Sequence, residues 1–143
     1  LNGRLLAAET GANLRVVELF SLIHDSCREN ENDDPHHGHR AAAYARDLRG
    51  KWFEATDAEM DLLALACELH SDGHAEADIT VQTCWDADRL DLGRVGIRPS
   101  ARYLCTEAAR RADVIAEAYR RSTISVGSVI MCRHKVSEDR PRQ

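Results

Sequence analysis

At 143 residues the chain has the size of one domain with a single buried core. Its 43% hydrophobic and 30% charged residues are those of a soluble globular protein and not of a disordered one, and a formal net charge of -5 argues against nonspecific nucleic-acid binding as the main role. That charge leaves room for a small phosphorylated substrate held by a few local arginines. No stretch is apolar enough to span a membrane, and no signal-peptide pattern opens the chain. Only three prolines and eight glycines interrupt runs rich in Ala, Leu, Glu and Arg, so helix is expected to dominate. The five cysteines (Cys27, Cys67, Cys84, Cys105 and Cys132) show no CxxC spacing, which excludes a zinc ribbon. They read as reduced thiols of a cytoplasmic protein.

In chain order, Arg4 to Glu9 reads as the tail of a helix closed by Gly11. Asn13 then caps a helix expected to run to roughly Cys27, with Val16, Leu19, Phe20 and Ile23 as its buried stripe. His24 falls one turn after Phe20 and so points inward, beside Asp25. An imidazole and a carboxylate at the mouth of an apolar helix are standard ligands for Zn, Mn, Fe or Co. The polar run from 29 to 35, closed by Pro35, is a loop that leads to His36-His37-Gly38-His39-Arg40 and a helix over 41–48.

Thr56 and Glu59 form a capping-box signature. The helix it starts carries Met60, Leu62, Leu63, Leu65, Ala66 and Leu69 to His70, so a second apolar helix delivers an imidazole at its end. Thr80 to Leu92 is the next expected helix. Asp86, Asp88 and Asp91 are interleaved there with Trp85, Ala87, Leu90 and Leu92, so at least one carboxylate should face inward, where it needs a cation or several donors. Asp86 can pair with Arg89 at i,i+3 on the surface, which leaves Asp88 as the inward candidate. Gly93 to Pro99 reads as a turn, and a helix is expected from Ala101 to about Arg121. The region 122–143 changes character, with a β-prone patch at Ile124, Val126, Val129, Ile130 and Met131, then an irregular end from Ser137.

The combination of His24-Asp25, a histidine-bearing loop, His70 and Asp88 resembles the HD superfamily of metal-dependent phosphohydrolases. That family is defined by a first His, an adjacent His-Asp pair and a distant Asp. The strongest matches are Leu22-Ile23-His24-Asp25-Ser26-Cys27-Arg28-Glu29 and the segment from Cys84 to Ile97, whose Ala87-Asp88-Arg89-Leu90 core resembles the part that supplies the final metal-binding Asp. The resemblance covers roughly residues 1–110, and in detail the chain looks like small bacterial HD-domain proteins. The family's first histidine would precede Asn2-Gly3, so further residues are expected upstream of Leu1.

The resemblance implies an all-α, HD-domain-like helical bundle over 1–121, with a metal site between helix ends and a partly irregular tail over 122–143. It implies His24, Asp25 and Asp88 as ligands of a divalent metal (Mn, Fe, Co, Ni, Zn or Mg). His37 and His70 occupy places where binuclear members add histidines, so one or both would bind a second metal or the substrate phosphate. Asp25 would also orient the attacking water and Glu29 act as general base, with Arg28 and Arg89 as phosphate clamps. The expected activity is hydrolysis of a phosphomonoester or phosphodiester, with a nucleotide as the foremost candidate and no nucleic-acid polymer or membrane as partner. A homo-oligomer is compatible with all of this. Two other functions fit the same residues: a noncatalytic module that senses a metal or nucleotide, and a di-iron oxygenase.

Overall fold

A computed structural model describes residues 1–30 and 34–136, with side chains described as far as residue 124. The described residues form seven α-helices and no strand: α1 (Asn2–Thr10), α2 (Leu14–Ile23), α3 (His37–Leu48), α4 (Asp57–Leu69), α5 (Ile79–Arg89), α6 (Glu107–Arg110) and α7 (Ala112–Val136). The fold is all-helical, as the composition predicts. Among the described residues no helix is long and apolar enough to cross a membrane. The expected irregular end, Ser137 to Gln143, lies outside the described residues, as do Glu31, Asn32 and Asp33 of the acidic loop.

The local signals set the helix boundaries. Gly11 closes α1 at φ 74°, a left-handed conformation that glycine adopts without steric cost. The Asn13 side chain caps α2 by accepting from the Val16 N–H. The same residue also ties three helix starts together. Its backbone N–H donates to Thr80 Oγ1 at 3.1 Å, and its amide donates to Glu59 Oε1 at 3.2 Å. Thr56 and Glu59 complete a reciprocal capping box on α4.

Packing makes α2 the central helix. Val16, Val17, Phe20 and Ile23 are all buried against α1, α4 and α5. Ala41, Ala42 and Ala45 of α3, Leu63 and Cys67 of α4, and Val81, Cys84 and Trp85 of α5 complete this core. Each fully buried large apolar side chain contributes about 1.5–3 kcal/mol relative to exposure. The Trp85 indole N–H donates to Ala66 O at 3.0 Å, satisfying a carbonyl in the last turn of α4 that has no partner within its helix. A second, smaller core gathers Leu6, Leu90, Leu104, Ala109, Ile115 and Ala118.

Three departures from the sequence reading fall in the second half of the chain. The helix expected over 101–121 is broken into a 3-10 turn at Ala101–Tyr103, an extended stretch at Leu104 to Thr106, and the separate helices α6 and α7. Asp86 anchors the extended part of this break. It is fully buried, and its carboxylate accepts from the backbone N–H groups of Cys105 (2.6 Å) and Thr106 (2.8 Å) and from Thr106 Oγ1 (2.8 Å). Those donors are drawn away from helical pairing, and Thr106 instead caps α6 by accepting from the Ala109 N–H. The assignment of Asp86 to a surface pair with Arg89 is corrected by the same contacts: Asp86 is the carboxylate that needs several donors. Finally, the β-prone patch at Ile124 to Met131 lies within α7. A helix already propagating from Ala112 adds residues at little cost and overrides the weak preference of β-branched side chains.

Candidate metal centre

Three histidine rings are fixed in the same way. At the end of α2, Phe20 O accepts from the backbone N–H of His24 (3.0 Å) and from its ring Nδ1 (2.9 Å). The Phe20 and His24 rings also stack with centroids 4.5 Å apart. At the end of α4, His70 Nδ1 donates to Cys67 O at 2.7 Å. At the start of α3, His37 Nδ1 donates to Asp34 O. Each ring thus turns Nδ1 to a backbone carbonyl and its Nε2 edge the other way. A second-side hydrogen bond of this kind is how ligating histidines are usually oriented.

The Nε2 edges of His37 and His70 converge on Asp25. His37 Nε2 and His70 Nε2 lie 2.9 Å apart, and Asp25 Oδ1 is 3.5 Å from the first and 3.4 Å from the second. Both rings are buried, at 4% and 5% exposure. All three atoms lie within 4.8 Å of one another, and Asp25, His37 and His70 form a group that could hold a metal ion.

Asp25 Oδ2 faces the opposite way. It lies 3.7 Å from His24 Nε2, which is itself 3.5 Å from Asp88 Oδ1. His24 Nε2 is buried and has no hydrogen-bond partner among the described residues. Burial opposes charging of His24, but the adjacent Asp88 and Asp25 carboxylates outweigh it and raise its pKa above the ordinary value. His70 and the Arg28 guanidinium hold the Asp25 carboxyl far below its usual range, against the desolvation that pushes it up.

The surrounding chain holds these groups in place. Arg28 Nη2 donates to Asp25 Oδ1 at 2.9 Å and to His37 Nε2 at 3.0 Å. Asp34, whose carbonyl orients His37, has its own side chain clamped by the Glu29 backbone N–H (2.8 Å) and Arg40 Nη2 (2.6 Å). These two donors bring the Asp34 pKa down to about 2. Gly38 permits the meeting of His37 and His70. A Cβ there would lie 2.6 Å from the backbone oxygens of Cys67 and Glu68, so α3 rests directly on the end of α4. Gly38→Ala is expected to force these backbones apart at a cost of about 1–3 kcal/mol. It should lower the thermal midpoint and weaken metal binding together. A variant that melts and binds like the parent would show that the helix contact does not set the histidine spacing.

The His24–Asp25–Asp88 side of the cluster opens into a cleft of about 740 Å³. Its wall includes Leu22, Ser21, Val17, Ala87, Asp91 and Arg94. Arg94 Nη2 stands 3.8 Å from Asp25 Oδ2.

Of the residues singled out from sequence, the structure brings His24, Asp25, Arg28, His37, His70 and Asp88 together. Glu29 and Arg89 lie elsewhere. α2 stops at Ile23 instead of continuing to Cys27, so Glu29 is not one helical turn beyond Asp25; its side chain is 76% exposed and lies 3.6 Å from Arg40. Arg89 Nη1 and Nη2 donate to the carbonyls of Tyr103 and His74, away from the cluster. Arg94, Asp34 and Arg40 were not foreseen. The i,i+3 spacing of Asp91 and Arg94 was the only signal for the first of these. Among the described residues the thiols take no part: Cys27, Cys67, Cys84 and Cys105 form no disulfide, and burial pushes Cys67 up to about 12, while the Cys132 side chain lies outside the described residues. Protein-family profiles, curated proteins and solved structures were all searched, and none matches this chain.

Proposed function

We propose that the protein is a metal-dependent phosphohydrolase of the HD type, acting on a phosphomonoester or phosphodiester, with a nucleotide as the favoured substrate. One observation carries this reading. Asp25 turns one carboxylate oxygen toward the paired Nε2 atoms of His37 and His70, and the other toward the partnerless Nε2 of His24. Such a donor set suits one or two divalent cations. A divalent cation held there would lower the pKa of a coordinated water and neutralise phosphate charge.

The chain's own groups do the rest. Asp25 and Asp88 supply the negative charge that retains the cation. The carbonyls of Phe20, Asp34 and Cys67 keep the three imidazoles aimed inward. Asp88 faces the cleft and is the carboxylate placed to accept a proton from the attacking water. Overall, the water oxygen bonds to phosphorus and the P–O bond to the leaving group breaks. The leaving oxygen takes its proton from solvent, and Asp88 returns its own to solvent.

The test is turnover of p-nitrophenyl phosphate and bis(p-nitrophenyl) phosphate, alongside a panel of nucleotides, with Mn²⁺ or Co²⁺ added. Nitrophenolate release that stops with chelator and resumes with metal is the expected result. Stoichiometric metal with no turnover of any ester would overturn it in favour of a sensing module, and tightly bound iron with oxygen consumption in favour of an oxygenase.

A further inference from the structure

We propose that Arg28 is a built-in competitor of the divalent cation: its guanidinium holds atoms that would ligate the ion and must let go of them for the ion to bind. The inference rests on the metal-dependent reading above and concerns how that same site is loaded.

One nitrogen carries the argument. Arg28 Nη2 donates to Asp25 Oδ1 at 2.9 Å and to His37 Nε2 at 3.0 Å, and both residues belong to the group that could hold a metal ion. Arginine only donates, so His37 Nε2 meets it with a lone pair, and the other ring nitrogen, Nδ1, is turned to Asp34 O. A carboxylate oxygen has two lone pairs and can serve two partners. An imidazole nitrogen has one and cannot serve a guanidinium and a metal together. Charge acts in the same direction, since a cation on these atoms would stand beside a second positive group. The neighbouring guanidinium groups are placed differently. Arg94 approaches Asp25 by its other oxygen, Oδ2, at 3.8 Å, and Arg40 is spent on Cys27 O and Asp34.

The chain around Arg28 allows it to leave. α2 ends at Ile23, and residues 28–30 have no regular secondary structure. The backbone N–H of Arg28 stays tied to Asp25 O at 3.2 Å, so the pivot is fixed while the side chain, 29% exposed, has an outward path. His37 and His70 are buried on helix ends and need not move with it. Asp25 is then neutralised by one partner or the other, and the ion's affinity is set by what it displaces.

The sign of one affinity change tests this. Co²⁺ would be titrated in competition with a chelating dye into the parent chain, Arg28→Met and Arg28→Lys, with thermal midpoints measured without and with the ion. Loss of a competitor that makes a charge-assisted hydrogen bond should tighten Co²⁺ binding about tenfold or more in Arg28→Met. The midpoint without the ion should fall, and the rise that Co²⁺ produces should grow. Arg28→Lys keeps the charge but not the planar fork, and its affinity should fall between the two. A residue that only orients Asp25 would act in reverse, its loss weakening metal binding by about 10–100-fold. Equal or weaker binding in Arg28→Met, by dye or by midpoint, overturns the competitor role and leaves the metal centre standing. If neither the parent nor Arg28→Met binds Co²⁺, the metal-dependent reading falls with it.

Discussion

On the proposed function, Asp25→Asn is expected to abolish retention of a divalent cation and any esterase activity while leaving the helices in place. The substitution keeps the shape of the side chain and removes the one charge that faces both His24 and the His37–His70 pair. Residues that merely orient a metal ligand typically cost 10–100-fold when changed, so loss of the shared ligand should exceed about 100-fold in affinity. Metal analysis after dialysis and far-ultraviolet circular dichroism report the two halves of the prediction separately. Asp88→Ala touches only the His24 side and is expected to lower metal content less. An Asp25→Asn protein that retained its full metal complement would remove the basis for placing a cation at this cluster.

The second large effect falls on stability, not on the site. Asp86→Ala leaves the backbone N–H groups of Cys105 and Thr106 and the Thr106 hydroxyl without their acceptor in a fully buried position. Bonds to a charged group contribute about 1.5–3 kcal/mol each and are not additive, so a loss of about 3–4 kcal/mol is expected. Denaturant unfolding should show it as a lower midpoint. Asp86→Asn should recover part of the loss, since an amide oxygen can still accept. If Asp86→Ala unfolded at the parent's midpoint, the account of the break between residues 101 and 112 would have to be abandoned.

Those two carboxylates also show where sequence reasoning reaches and where it stops. Caps are local, and Gly11, Asn13 and the Thr56–Glu59 box could each be read within a few residues of the helix they bound. His24, Asp25 and Asp88 lie side by side, but the group whose ligand atoms cluster closely enough for a metal is Asp25, His37 and His70, and the sequence offered those two histidines only as a second-metal or phosphate site. Which of Asp86 and Asp88 goes inward was not legible. Both sit on α5 two residues apart, and the answer depends on donors about twenty residues later. The role expected of Glu29 depended on α2 continuing past Asp25, and the helix ends where the His24 ring takes the Phe20 carbonyl. Arg89 adjoins Asp88 in sequence, but successive helical residues point about 100° apart, and its side chain joins the loops on another face.

The division of the interior into two apolar clusters has a dynamic consequence. Leu6 and Ala7, neighbours on α1, belong to different clusters, and so do Trp85 on α5 and Leu90 just beyond its end. The smaller cluster, built largely from Leu104, Ala109, Ile115 and Ala118, has few members to resist fluctuation. Sub-global opening should therefore begin there, with α7 lifting from the Leu92–Val95 turn it packs against, while the histidine-bearing half stays closed. Breathing of the molecule would then widen the cleft from the Arg94 side without dispersing the ligands on the other.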